Sequence, residues 1–393
     1  MEQAILIINA GSSSIKFAVF VFDENKTASE AVYYGEIDGI DNHARLKVRC
    51  ERYDTAQIDQ NVAAQNHDDA VQILLSWIEH DAIDLDIVAA GHRVVHGGTF
   101  FSTAVIINAE VDAKLEQLVP LAPLHQAHSL AIIRTLRALH PQWVQVACFD
   151  TAFHHSMPVV AQSFALPRTL FDKGVRRYGF HGLSYDYIAS VLPDFIGTKA
   201  RGRVIVAHLG HGVSMCAMKE LKSIETTMSF TPLDGLPMAT RSGTIDPAVI
   251  FYLMREKNMS VDDVSELLHQ QSGLLGVSGI SADMRELLIS DDLHAKQAID
   301  LFVYRVTCEI GSLAAALGGL DAIVFTAGIG EHAPEIRQRI CKQAGWLGVA
   351  LDESANIAGK PEISTAQSAV SVWVIPTNEA LIIARHTFAL MNN

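Results

Sequence analysis

The chain has 393 residues, 49% of them apolar, with 44 acidic against 30 basic side chains and a formal net charge of -14. That length exceeds what one core sustains and points to two or three domains. The acidic balance excludes a nucleic-acid surface, because no basic excess exists to displace counterions from a phosphate backbone, so any anionic ligand must be met by local groups.

Five cysteines (Cys50, Cys148, Cys216, Cys308 and Cys341) are scattered, odd in number and without metal-ligand spacing, the pattern of a reducing compartment. Met1 and Glu2 run directly into a strand with no basic leader or cleavage site. The most apolar stretch, Leu313 to Ile329, is interrupted by Gly318, Gly319 and Asp321. The expectation is a cytoplasmic protein with no membrane partner.

In chain order, Ile5 to Phe20 (ILIINAGSSSIKFAVF) sets two β-rich apolar runs around a turn with Asn9, Gly11, three serines and Lys16. Backbone N–H groups, hydroxyls and one ammonium converge there, which suits phosphate oxygens. The same residues also make an ordinary turn. Ala31–Ile37 and Ala44–Cys50 extend the meander, Asp68–Ile78 has helical apolar spacing, and Ile87–Ala90 is a short strand leading into Gly91. GHRVVHGG (Gly91–Gly98) follows, with Arg93 suited to bidentate recognition of carboxylate or phosphate. Leu130–Leu139 is an amphipathic helix stopped by Pro141. Trp143–Phe149 is a strand that delivers Asp150 to its carboxyl end, where α/β sheets hold ligands, although Asp150 is equally suited to cap a helix. RRYGFHGLS (Arg176–Ser184) places His181 between aromatic and glycine residues.

From Arg203 the grammar restarts. VIVAHLGHGVSMCAM (Val204–Met218) repeats strand, Gly-containing turn and strand, which implies a duplication with a ligand cleft between the copies. Arg241 lies in a loop dense with Gly, Pro and hydroxyls (Leu233–Pro247), and long ordered loops carry function. Pro247–Met254 and Val261–His269 precede SGLLGVSGISADMR (Ser272–Arg285), and a long helix spans Lys296–Leu317. The strand Ala322–Phe325 runs into TAGIGEH, whose glycines bring N–H groups to an anion but lack the dinucleotide spacing and the Lys-Ser/Thr of a P-loop. After a helix at Pro334–Ala344 and a strand at Val370–Ile375, PTNEAL opens the last helix, Asn378–Leu390, with Thr377 as cap. Glu379 there suits either the helix dipole or a Mg2+ ion. The histidine pairs HRVVH, HQAH and HLGH lack the metalloprotease pattern, and neighbouring Arg opposes zinc.

Taken together, INAGSSSIKF, HRVVHGG, FDTAFH, RYGFHG, HLGHG, TRSG, SGLLGVSG, GIGE and PTNE, in this order over nearly the whole chain, resemble the acetate kinase family. These are short-chain carboxylate kinases of the actin-like ATPase superfamily. The resemblance implies an α/β fold of two actin-like ATPase domains with duplicated βββαβαβα cores and an interdomain cleft. Residues 1–152, completed by the C-terminal helix at about 380–393, would form one domain, and 153–379 the nucleotide-binding and dimerisation domain. It further implies a homodimer and a reversible, Mg2+-dependent (or Mn2+-dependent) phosphoryl transfer between ATP and acetate, giving acetyl phosphate and ADP. Propionate or another short-chain acid is the alternative substrate, and a non-enzymatic actin-like ATP switch is the remaining class.

Carried over by motif, Asn9 and Glu379 correspond to the metal site, with Ser12, Ser14 and Lys16 on the nucleotide side of the first turn. Arg93 and Arg241 match the substrate and phosphoryl clamps, His181 the transition-state stabiliser and Asp150 the catalytic aspartate. Val95, Leu124, Phe180 and Pro232 match the apolar substrate pocket. His208, Leu209, Gly210, His211 and Gly212 match one nucleotide segment; Asp283, Met284 and Arg285 match a second; Gly328, Ile329, Gly330, Glu331 and His332 match a third. The chain departs from the family in having His211 and His332 where Asn is usual, no Asn-Pro after His125, and Ala239 and Thr244 where Gly and Asp are common. A carboxylate nucleophile is ionised at neutral pH and needs no general base, so the chemistry calls for positioning and charge neutralisation. Asp150 is expected to orient Arg93 or the metal's waters.

Overall fold

The computed structural model describes the chain apart from residues 12, 23–27, 41–42, 53–57, 83 and 393, and apart from the side chains of 28–30 and 123–125. Ser12 and the Leu124 and His125 side chains therefore lie outside the described residues. The chain forms two compact units, Met1–Phe153 with Asn378–Asn393, and His154–Thr377.

The first unit contains β1 (Glu2–Ala10), β2 (Ser14–Phe22), β3 (Ala28–Asp38), β4 (Arg45–Cys50), β5 (Ile58–Asn61), α1 (His67–Asp81), β6 (Leu85–Val94), β7 (Val105–Ile106), α2 (Ala109–Gln117), α3 (Pro123–Leu139) and β8 (Val144–Phe149). Its eight-stranded sheet runs β5-β4-β3-β2-β1-β6-β8-β7. The apolar runs of β1 and β2 are buried on both faces, which is why they read as continuous rather than alternating. On one face Leu6, Ile8, Phe17 and Val19 join Leu74 and Trp77 of α1 and Leu136 of α3 in a single core.

The second unit contains α4 (Val159–Gln162), α5 (Arg168–Asp172), α6 (Gly182–Ile196), β9 (Val204–Leu209), β10 (Val213–Lys219), β11 (Lys222–Thr226), α7 (Pro247–Glu256), α8 (Val261–Gln270), α9 (Gly273–Ser278), α10 (Met284–Ile289), α11 (Leu293–Leu317), β12 (Ala322–Thr326), α12 (Ala327–His332), α13 (Pro334–Gln343), α14 (Glu353–Ile357) and β13 (Ser371–Val374). Its five strands run β11-β10-β9-β12-β13. This matches β3-β2-β1-β6-β8 of the first unit step for step: two antiparallel pairings, then two parallel ones. The hairpin echo in the sequence thus reflects two sheets of one topology. Among the described residues, no helix is long and apolar enough to cross a membrane.

The C-terminal helix α15 (Glu379–Met391) returns to the first unit and packs on β1, β3, β6 and β8. Gly91 makes room for it: a Cβ there would lie 2.4 Å from Thr387 Oγ1 and 2.7 Å from Ile383 Cγ2. Gly91 is therefore not a strand stop. β6 runs on to Val94, so Arg93 is a strand residue rather than part of a loop beyond a short Ile87–Ala90 strand. Two further differences have local causes. Helix α3 starts at Pro123, well before Leu130, because Pro is favoured in a first helical turn. Helix α6 went unanticipated because Gly182 and Pro193 break its sequence pattern.

Candidate active site

Three neighbouring strands of the first unit, β1, β6 and β8, run parallel, so their carboxyl ends share one edge. Asn9, Arg93 and Asp150 lie there. Arg93 donates from Nε to Asp150 Oδ1 at 2.9 Å and from Nη2 to Asp150 Oδ2 at 2.6 Å, a bidentate fork. Its Nη1 donates to Asn9 Oδ1 at 3.1 Å. Burial opposes the Arg93 cation, but the Asp150 carboxylate, helped by Glu379, holds it above the ordinary guanidinium value. Asp150 thus fixes the direction of the Arg93 guanidinium.

Glu379 opens α15 and joins this group. Burial pushes its carboxyl above the ordinary range, with Arg93 and Lys16 opposing that rise and Asp150 adding to it. Asn9, Lys16, Tyr34 and Glu379 line a cavity of about 540 Å³. The expected cap, Thr377, is not the cap: Asn378 Oδ1 accepts from Leu381 N at 2.9 Å. Ser14 begins β2, and its carbonyl accepts from Gly11 N at 2.8 Å to close the turn.

In the second unit β9, β12 and β13 are likewise parallel. His181 occupies the N-cap of α6 in the left-handed region (φ 56°), a strained conformation for a non-glycine residue. Its ring stacks on His208 at a centroid distance of 4.2 Å. Gly212, in the turn between β9 and β10, keeps this space open: a Cβ there would lie 3.0 Å from His181 Nε2 and 3.7 Å from Arg241 Nη1. Arg241 is aimed by its Nη1 bond to the Pro232 carbonyl, 3.1 Å away, so Pro232 contributes a backbone oxygen as well as its ring.

The other candidates are placed as follows. Val95 and Phe180 are buried. His154 Nε2 donates to the Phe180 carbonyl at 2.9 Å, and burial pushes that imidazole down to about 4. His92 and His96 are pushed down to about 4 by burial as well, which makes them neutral internal groups. Leu209 is buried, His211 is exposed, and the Cβ position of Gly210 lies 3.6 Å from His208 Nε2. Asp283 caps α10, Met284 is buried, and exposed Arg285 donates to Asp283 from Nε at 3.0 Å. Arg285 holds the Asp283 carboxyl down at about 2.

Gly328, Ile329, Gly330, Glu331 and His332 lie inside the short helix α12 rather than in a loop ahead of a helix. Glu331 Oε1 accepts from Ala327 N at 2.7 Å and Thr377 N at 3.2 Å, bracing the ends of β12 and β13, while His332 is exposed. Three polar residues that contact these groups carried no motif signal: Tyr34, Tyr185 and Ser214. Ser214 had one available clue, since it pairs with His208 across the β9–β10 ladder.

With Lys16 beside them and Arg93 bonded to Asn9 Oδ1, Asn9 and Glu379 offer one amide and one carboxylate oxygen on the same cavity. That set fits Mg2+, which takes one or two protein carboxylates and leaves its other positions to water and phosphate.

Two sheets of one strand order, each with cations and hydrogen-bond donors at the ends of its parallel strands, define a phosphotransferase of the actin-like ATPase fold. Residues 4–385 match the model of the Acetokinase family, and the chain belongs to that family. It is 54% identical to an acetate kinase of Rhodopseudomonas palustris (strain TIE-1), covering 99% of each chain. Among solved structures it is similar to the acetate kinase of Porphyromonas gingivalis (TM-score 0.89, 35% identity, 99% of this chain and 100% of that one). It is also similar to a propionate kinase of Francisella tularensis subsp. tularensis SCHU S4 (TM-score 0.91, 37% identity, 98% of both chains).

Proposed function

We propose that this chain is a kinase that transfers the γ-phosphoryl group of ATP reversibly to acetate, giving acetyl phosphate and ADP by in-line attack. The observation that supports this most is the convergence of His181 Nε2 and Arg241 on the open face of Gly212. Such a set meets the charge spread over the equatorial oxygens of a transferring phosphoryl group. The acetate carboxylate is the nucleophile and arrives ionised, so a residue that removes a proton is superfluous. Arg93, fixed by Asp150, is the clamp for an anionic oxygen, and Val95, Leu124, Phe180 and Pro232 are the apolar pocket. The three segments at 208–212, 283–285 and 328–332 hold the nucleotide, along with Ser12, Ser14 and Lys16.

Asn9 and Glu379 would hold Mg2+, or Mn2+ on the same oxygen donors. The ion supplies charge neutralisation at the phosphate oxygens. The functional domains are the two compact units, the second carrying nucleotide and dimer contacts. The enzyme works in the cytoplasm, where its five free cysteines stay reduced.

The test is hydroxamate trapping of acyl phosphate with ATP, MgCl2 and acetate, propionate or butyrate in turn. Acetate is expected to lead propionate by roughly 10-fold, the discrimination one methylene allows. A lead for propionate would favour the second reading, which the propionate kinase neighbour motivates. Absence of product with every acid would leave an ATP switch.

A further inference from the structure

His181 is held from behind by hydroxyl groups that the proposed chemistry does not use. Its Nδ1 lies 2.8 Å from Ser214 Oγ, and Ser214 Oγ lies 2.5 Å from Tyr185 Oη. Ser214 and Tyr185 are fully buried. A serine hydroxyl has one hydrogen, so it donates in only one of these two contacts. The phenol is the more acidic hydroxyl and the better donor. It therefore gives its hydrogen to Ser214 Oγ, and the Ser214 hydrogen goes to His181 Nδ1. A neutral imidazole that accepts at Nδ1 carries its proton on Nε2. Nε2 is the atom that faces Gly212 beside Arg241.

The stacked partner ring is wired the other way. His208 Nδ1 lies 2.8 Å from Ser184 Oγ, and Ser184 donates to Thr377 Oγ1 at 2.9 Å. With its hydrogen spent on Thr377, Ser184 accepts from His208 Nδ1–H, which leaves Nε2 of the neutral His208 ring as a lone pair. Two imidazoles in face contact thus present opposite tautomers, and the His181 ring is the donor of the pair.

Building on the phosphoryl-transfer reading, we propose that Tyr185 and Ser214 are positioning residues that set His181 in its Nε2–H tautomer, so that the imidazole donates a hydrogen bond to the transferring phosphoryl group. The consequence is specific. Loss of the Ser214 hydroxyl frees the ring to exchange tautomers and to turn, which weakens a bond made in the transition state more than binding of the acid.

The direct test is long-range 15N–1H NMR on the full chain labelled at histidine, with His181→Gln used to assign the resonances. The expected wild-type spectrum shows His181 Nδ1 as an unprotonated nitrogen and Nε2 as a protonated one. Ser214→Ala is expected to mix the tautomers and lower kcat at least about 10-fold with the acetate KM within about twofold, since an aimed donor carries a large share of such stabilisation. Tyr185→Phe is expected to shift both readouts the same way by a smaller amount, and Ser214→Thr to restore them. An Nδ1–H tautomer in the wild type overturns the proposal. So does a Ser214→Ala enzyme with normal kcat, or one altered only in KM. Should Ser214→Ala fail to fold, the wild-type and Tyr185→Phe spectra decide. Acyl-phosphate formation by the wild type tests phosphoryl transfer separately, because the tautomer is read without turnover.

Discussion

Glu379, the proposed metal ligand, sits where burial works against its charge. Burial raises its carboxyl above the unfolded value against the pull of Arg93 and Lys16. Between the unfolded and folded values the native state holds more protons than the unfolded chain, so stability falls as pH rises through that window. Above it, the ionised side chain is a net cost to the fold. Glu379→Gln is therefore expected to raise Tm at pH 7, with the advantage shrinking as pH drops toward the ordinary glutamate range, while turnover falls by about 100-fold or more if Glu379 is the metal ligand proposed above. A lower Tm for the variant in a pH series of thermal melts would contradict this account. Arg241 makes a complementary case. It has a backbone anchor at Pro232, and in the proposed mechanism its guanidinium meets charge that develops only in the transition state. Arg241→Leu should lower kcat on the order of 10³-fold, as removal of a phosphoryl-clamping arginine does, and near-normal turnover would remove it from the site.

At the level of elements, the first turn of α15 decides where Glu379 stands. Asn378 caps the helix through Oδ1 and donates from Nδ2 to Tyr34 Oη of β3 at 3.4 Å. Asn378→Ala should cost about 1 kcal/mol of stability and lower turnover by more than that loss explains, because Glu379 is the next residue. Asn378→Asp keeps the cap acceptor and should recover the Tm but not the full rate; recovery of both in calorimetry and kinetics would confine Asn378 to capping. The cap also shows what the sequence could and could not disclose. Thr377 and Asn378 are both good capping residues, and the Thr377 hydroxyl is engaged instead by Ser184, 193 positions away in the chain, which no local reading of the sequence shows. In the same way, Gly91 looks like the end of a strand until the C-terminal helix is laid across it. Apolar runs and turn residues declare themselves locally, so most strands and the Asn9, Arg93, Asp150 and Glu379 positions were legible. Residues chosen by long-range contact, such as Tyr34, Tyr185 and Ser214, were not.

For the whole molecule, the duplicated strand order explains why an acidic chain can handle polyanionic substrates. Each copy sets a few cations and donors near the ends of its parallel strands, Arg93 in the first and Arg241 beside Gly212 in the second, while the net charge of -14 is carried by the chain as a whole. One feature of the second unit calls for a partner. Helix α7 has no buried residue, and Val249, Phe251 and Tyr252 are 45%, 54% and 52% exposed. A helix of ten residues is marginal alone in water, and clustered apolar side chains of this size mark an interface. The proposed homodimer supplies the cover, since an isologous contact places the same patch on both copies. Phe251→Asp then introduces two buried carboxylates per dimer without touching the catalytic groups. Sedimentation equilibrium should give twice the chain mass for the wild type and a shift toward a single chain for Phe251→Asp at micromolar concentration. A monomeric wild type, or a variant that stays fully dimeric, would place the interface elsewhere or remove it.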